Sequence, residues 1–464
     1  MKQIIKKIIA SWANAEGSVN KTEELFDWIH TLNNTTAVDI QRTSVNEDSF
    51  WFYDDYRGEI LNRKRSFFSI TGIRYFKNEE FVSEQPIIIQ QEIGYLGIII
   101  KEINGVIHFL MQAKIEPGNV NCVQISPTIQ ATKSNFTRAH GGRLPLFFDY
   151  FEHASQKGTI IYDQIQSEQG SRFLGKRNRN LILLVEDDIP EHPNYKWMTL
   201  GQIKEFMKHD NLVNMDTRTV LSGIPLMTCQ WSEEDKAELD RFFTDKAFMN
   251  SLFYTNVSEK LPRMTALLND YKMFTDVEHT LIPLNQLVEW KVDDYGVTSR
   301  KNADFSVSYY DINISGREVQ HWLQPLFKAE SKALFVLLTR IQDGKREFLI
   351  SLAPEVGTFD KVEFGPSLQI ANTAHASETN SLYKLTCEYL KAQKGILIDV
   401  ILSEEGGRFY HEQNRNVILD ITGNSSADNI AQTIWVDYAS LNYLIQANNC
   451  LNIQLRNLLS LLDI

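Results

Sequence analysis

The chain repeats itself once, and that repetition limits what it can fold into more than any other feature. Phe67-Phe68-Ser69-Ile70 returns as Asp304-Phe305-Ser306-Val307, and Gln85-Pro86 as Gln324-Pro325. Ile115-Glu116-Pro117-Gly118, with Val123-Gln124-Ile125-Ser126-Pro127-Thr128-Ile129-Gln130, returns as Pro354-Glu355-Val356-Gly357 with Val362-Glu363-Phe364-Gly365-Pro366-Ser367-Leu368-Gln369. Glu168-Gln169-Gly170-Ser171-Arg172-Phe173 returns as Glu404-Glu405-Gly406-Gly407-Arg408-Phe409. Asn178-Arg179-Asn180 returns as Asn414-Arg415-Asn416, and Trp197 as Trp435. The offset stays between 236 and 239 over more than 100 residues, which chance does not sustain. The chain is therefore a duplicated domain.

Each copy reads as short strands with a helix among them. The β-rich runs 85–91, 95–102 and 106–113 are separated by Gly or Asn turns. Residues 145–157 read as a helix with Phe147, Phe148, Tyr150 and Phe151 toward the core, stopped by Gly158. Residues 181–185 read as a strand, and 198–208 as a helix N-capped by Thr199. In copy two, 333–340 and 346–353 form a hairpin through Gln342-Asp343-Gly344, and 380–393 a helix stopped by Gly395. Ser232-Glu233-Glu234-Asp235 opens helical spacing that runs to about 252 and resumes over 264–273. The expected organisation is a first domain over 1–225, a helical connector over 226–290 and a second domain over 291–464. Strand runs crossed by a helix in each copy give an α+β class.

One stretch does not look like ordinary core. Residues 108–138 are crowded with Asn, Gln, Ser, Thr and Pro, yet lie beside strongly apolar segments. Amides and hydroxyls packed against a core suit a site that reads a ligand through many hydrogen bonds. Copy two is poorer, with Ala353, Thr358, Phe359 and Ala371 around the equivalent run. Turnover is expected in the first pocket.

Several blocks carry a family resemblance. They are Gln91-Glu92-Ile93-Gly94-Tyr95-Leu96-Gly97, then His108 to Val120, then Ser126 to Phe136, then Asn214-Met215-Asp216-Thr217-Arg218-Thr219-Val220. In these the chain resembles the NDP-hexose 2,3-dehydratases over nearly its whole length. The resemblance implies a Nudix-like fold in each half. It also implies dehydration of a dTDP-linked 4-keto-6-deoxyhexose across C2 and C3, without cofactor or metal. A homodimer and a downstream 3-ketoreductase are the expected partners, in a cytoplasmic deoxysugar pathway.

That chemistry needs a base for the C3 hydrogen, donors for an enolate on C4 and an acid for the departing C2 hydroxyl. Glu116, beside the turn-forming Pro117-Gly118, is the leading acid/base candidate; the retained Glu355 leaves a structural reading open. Lys114 is a candidate for the enolate, against an exposed strand lysine. His108 and His140 are candidate proton carriers, against structural histidines. Gln112, Asn119, Gln124, Thr128, Gln130, Thr132, Ser134 and Asn135 suit sugar hydroxyls, thymine edges or the backbone. Arg138, Arg172 and Arg179 suit a diphosphate, against structural ion pairs. Arg218 is a further candidate ligand, with Asp216 or Asn214 read as a helix cap.

Composition narrows the rivals. A net charge of −12 with no long basic patch argues against nucleic acid. The run Lys176-Arg177-Asn178-Arg179 reads as a solvated turn or a phosphate contact. Four scattered cysteines give no disulfide framework and suit a reducing cytosol. Ile4, Ile5, Ile8 and Ile9 have the spacing of a helix face, and no apolar run is long enough for a membrane span. A nucleotide-sugar hydrolase of the Nudix type requires the box G-x5-E-x7-R-E-x-x-E-E-x-G, which the sequence lacks. A non-catalytic nucleotide-sugar binder is the other alternative.

Overall fold

The structure is a computed structural model. It describes the chain except residues 137–143, 228, 302, 316–318, 374–375 and 377–378, and the side chains of 134 and 135. Two seven-stranded mixed sheets of identical plan form its body. In the first, strands run in the order Thr159–Ser167, Arg177–Leu184, Gly94–Ile103, Val106–Ile115, Tyr195–Met198. Val123–Ser126 and Ile129–Ala131 are added along the middle strands. The second sheet repeats this order from Ile396–Ser403 to Thr433–Asp437. Among the described residues each contains one parallel strand pair, registered Asn178 to Gly94 in one and Asn414 to Ala333 in the other. The class is α+β with two repeated halves.

Sheet continuity reveals something that periodicity hides: the halves exchange a strand. Val38–Arg42 pairs with Phe305–Ile314 of the second half, Val38 opposite Ile314. Its counterpart Val277–Ile282 pairs with Ser69–Lys77 of the first half, Val277 opposite Lys77. The stretch 226–290 holds helices Glu233–Asp240, Lys246–Phe253 and Val257–Phe274 and this exchanged strand.

A second interlock lies between the loops. The Gly118 N–H donates to Gly406 O, and the Gly357 N–H to Gly170 O, both at 2.7 Å. A Cβ on Gly118 would sit 1.6 Å from Phe409 O, and one on Gly357 1.9 Å from Phe173 O. Only glycine lets the two backbones approach this closely. Between the sheets, helices Met215–Ser222 and Ile453–Leu461 pack on one another. One apolar core runs through both halves, from Ile5 and Phe109 to Phe348 and Leu459.

Local signals mostly hold. Thr199 caps Leu200–Met207 by accepting from Gln202 N, and Ser232 caps Glu233–Asp240. The hairpin turns at Asp343 and Gly344, with φ of 50° and 73°. The expected helix 145–157 is instead two pieces, Phe148–Glu152 and Ala154–Lys157, because His153 leaves helical geometry. Gly158 is extended, and a Cβ there would meet Leu184 O at 2.2 Å; close strand approach selects the glycine, rather than a left-handed cap.

Candidate active site

The polar stretch folds back on its own strand. Lys114 lies at the end of Val106–Ile115, and Glu116 opens the Pro-Gly turn just after it. The Lys114 ammonium is 2.8 Å from Glu116 Oε1. Gln130 Nε2 donates to the same oxygen at 2.8 Å, and Asn214 Nδ2 donates to Gln130 Oε1 at 3.1 Å. Asn214 also caps Met215–Ser222 by accepting from Thr217 N. Of the two residues that could have been the cap, Asn214 is the one, which leaves the Asp216 side chain to the cleft.

Glu116, Lys114, Gln130 and Asp216 share a cleft of about 530 Å³ with Thr132, Tyr95, Glu168, Lys176 and Asn178. Its far wall comes from the second half: Trp322, Gln324, Glu405, Gly407 and Arg408. Phe67, Phe68 and Trp51 add an aromatic side. Arg408 lies over the Phe68 ring, 4.3 Å from its centroid, and reaches Gln90 Oε1 at 3.2 Å. Gln324 Nε2 holds the loop by donating to Gly407 O at 2.9 Å.

The electrostatics are those of buried acids. Glu116, Asp216 and Lys176 are 3%, 2% and 5% exposed, so water screens them weakly. Burial, together with the neighbouring Glu168, Glu405 and Glu116 carboxylates, pushes the Asp216 carboxyl well above the usual range. Burial raises Glu405 to about 7 against the pull of Arg408. Burial also raises Glu168, opposed by Lys176, and lowers Lys176. Glu168 Oε1 accepts from Asn178 Nδ2 at 2.6 Å.

The second half repeats the frame with different side chains around it. Gln369 donates to Glu355 at 2.7 Å and accepts from Asn452 at 3.1 Å, as Gln130 does with Glu116 and Asn214. Yet Lys114 is replaced by Ala353, Lys176 by Glu412, and Asp216 by Gln454. Burial raises Glu355 to about 7, with Gln369 opposing.

The family model of the NDP-hexose 2,3-dehydratases matches residues 22–224 and again 262–462. The chain belongs to the NDP-hexose 2,3-dehydratase family. The second match starts within helix Val257–Phe274, upstream of the exchanged strand. Three relatives carry the name dTDP-4-dehydro-6-deoxy-alpha-D-glucopyranose 2,3-dehydratase. The Streptomyces violaceoruber protein is 35% identical over 91% of this chain and 92% of its own length. The Saccharopolyspora spinosa protein is 33% identical over 98% and 94%, and the Amycolatopsis orientalis protein 31% over 98% and 93%.

Within this dehydratase the sequence candidates separate into groups. Glu116, Lys114, Gln130 and Thr132 meet at the cleft. His108 does not line it: its ring is buried between Val106 O and Ser18 Oγ, each at 2.9 Å, and burial lowers its pKa. Gln112 stands opposite Ser126 and Tyr195 in the sheet, away from the lining. Thr128 bridges strands, donating to Leu110 O and accepting from Ile99 N. Gln124 crosses the interface to Ser403 Oγ at 2.5 Å, as Ser167 does to Glu363 at 2.7 Å. Asn119 is buried against Gly406. Arg179 is paired with Asp163 at 2.5 Å, repeated by Arg415 and Asp399 at 2.6 Å. Arg218 is buried and donates to Ser403 O at 2.7 Å. Arg172 lies over Phe305 of the other half, 4.0 Å from its centroid. His140 and Arg138 lie outside the described residues, as do the side chains of Ser134 and Asn135.

Arg408, Glu405 and Asp216 were not among the site candidates, and Lys176 only as part of the run read as a solvated turn or a phosphate contact. A signal existed for each. Arg408 and Glu405 stand in the repeat opposite Arg172 and Gln169, Asp216 in the Asn214–Val220 block, and Lys176 in the basic run. Lys176 is buried rather than part of a solvated turn.

Proposed function

We propose that this dehydratase eliminates water across C2 and C3 of dTDP-4-keto-6-deoxyglucose, giving dTDP-3,4-diketo-2,6-dideoxyglucose for deoxysugar biosynthesis. The observation that carries the assignment of roles is the pairing of half-buried Lys114 with buried Glu116, present only in the first cleft because Ala353 stands where a second lysine would be.

The C4 ketone acidifies the C3 hydrogen. Glu116 takes that proton, and the Lys114 ammonium beside it stabilises the negative charge that moves onto the C4 oxygen. The C2–O bond then breaks and water leaves. The resulting enol becomes the C3 ketone as a proton adds at C2. Arg408 and Lys176 match the diphosphate, and the Phe67, Phe68 and Trp322 rings offer faces to the thymine.

The finer expectations belong to the same reading. A mixed sheet with one parallel pair in each half supports a Nudix-like ancestry. Met273 and Phe274, 75% and 72% exposed, offer apolar surface to a second copy in a homodimer. The 1,2-diketone product is reactive, so a 3-ketoreductase would consume it. No described helix is long and apolar enough to cross a membrane.

The test is NMR of dTDP-4-keto-6-deoxyglucose in D₂O. Wild type places deuterium at C2 of the product, Glu116→Gln yields no product, and Glu355→Gln behaves nearly as wild type. Cleavage of the diphosphate linkage instead would overturn the reading.

A further inference from the structure

We propose that Asp216 is the acid that delivers a proton to the departing C2 hydroxyl. This rests on the elimination reading above and adds the group that reading leaves unassigned.

Geometry singles this residue out from the four carboxyl groups of the cleft. Glu116 accepts from Lys114 and Gln130, as a base should. Glu168 is tied to Asn178, and the same tie recurs between Glu404 and Asn414 in the half that lacks the lysines, so it is framework. Glu405 has the Arg408 guanidinium near it, which favours its ionised form. Asp216 is 2% exposed, lines the cleft, and among the described residues its Oδ1 has no hydrogen-bond partner. A buried carboxyl oxygen without a donor is costly unless it meets a ligand.

Two opposing effects act on this group. The first turn of Met215–Ser222 favours an anion, and Lys114, Arg218 and Arg456 add positive charge in the neighbourhood. Burial and the Glu168, Glu405 and Glu116 carboxylates oppose them and win. The balance therefore shifts toward the neutral acid relative to a free aspartate.

Position relative to the base is fixed by a chain of contacts. Glu116 accepts from Gln130, Gln130 accepts from Asn214, and Asn214 caps the helix that carries Asp216 two residues later. The step balances within this pair. Glu116 removes the proton from C3; the C2=C3 bond forms as the C2–O bond breaks; the Asp216 proton leaves with that oxygen as water. The proton on Glu116 exchanges with water; in the tautomerisation Glu116 then delivers a solvent-derived proton to C2, and the enol hydroxyl proton restores Asp216. The second half has Gln454 at the corresponding helix position, which cannot perform this cycle.

A leaving group that needs no proton separates this role from a structural one. The probe is the 2-deoxy-2-fluoro analogue of the 4-keto nucleotide, compared with the natural substrate in wild type, Asp216→Asn and Asp216→Gln. Gln454 shows that an amide is accommodated at that position of the paired helix, and unchanged dTDP affinity confirms an intact cleft. The expected result is a loss of water elimination of roughly 10²–10⁴-fold, with fluoride release within a few-fold of wild type. Exchange of the C3 hydrogen with solvent persists in both variants, and the high-pH loss of activity seen with the hydroxyl substrate vanishes with the fluoro analogue. Equal losses on both substrates would overturn the role of Asp216. Wild type that neither exchanges C3–H nor releases either group would overturn the elimination reading itself.

Discussion

Arg408 of the second half lies over the ring of Phe68 in the first, 4.3 Å from its centroid, and faces the first-half cleft. Arg172 does the reverse, lying 4.0 Å from the centroid of Phe305. Each half thus supplies an arginine to the other. Arg408→Ala is expected to weaken dTDP binding roughly 10- to 100-fold, the worth of one charge-assisted contact of about 1.5–3 kcal/mol. Arg172→Ala, removed from an aromatic face and from Glu412 at 3.9 Å, should lower the melting temperature while leaving turnover within a few-fold. Calorimetric titration with dTDP and thermal unfolding check the pair; an unchanged affinity in Arg408→Ala would show that the diphosphate lies elsewhere.

Lys114 separates binding from chemistry. Lys114→Met should reduce kcat roughly 10²–10³-fold, the cost of losing a donor to a developing oxyanion, with little change in dTDP affinity. Steady-state kinetics beside titration distinguish this from a lysine that merely orders the turn, which would raise KM and lower affinity together.

The glycine interlock is a stability prediction. Gly118→Ala places a Cβ 1.6 Å from Phe409 O, a contact with backbone that no rotamer relieves. The expected destabilisation is about 3 kcal/mol or more, at the upper end for overpacking. Gly357→Ala should behave alike, since the neighbouring carbonyl is 1.9 Å away. Gly105→Ala, with nothing within 4 Å but a φ of +80°, should cost less. Thermal or denaturant unfolding ranks the three.

Burial, reinforced by Glu412, raises the Glu404 carboxyl to about 8, against an ordinary value of 4.5. The folded protein therefore holds a proton that the unfolded chain releases. This contribution to stability is fully present below about pH 4.5 and is lost as pH rises through 8. Stability should decline between those limits, and Glu404→Gln should flatten the decline. Melting temperatures across pH 5 to 9 measure it; a Gln variant with the wild-type slope would remove Glu404 as the cause.

Much of this could be read before any fold was known. Thr199, Ser232 and the Asp343-Gly344 turn act locally, within three or four residues, so local chemistry announced them. Glu116, Lys114, Gln130 and Thr132 come together because strand alternation and the Pro-Gly turn place them near one another along the chain. Thr128 and Gln124 were equally polar and equally close, but their partners are Leu110 O and Ser403 Oγ, which no spacing shows. His108 faces Ser18 for the same reason.

The amino-acid order alone determined the duplication, the α+β class, the family and the different side chains at equivalent positions of the halves, because each is written in residue types at fixed offsets. Tertiary structure alone decided that the halves trade strands at Val38–Arg42 and Val277–Ile282, and that Arg408 and Glu405 complete a cleft begun by Lys114 and Glu116. Those relations are made by packing and hydrogen bonding between segments hundreds of residues apart, where sequence periodicity has no reach.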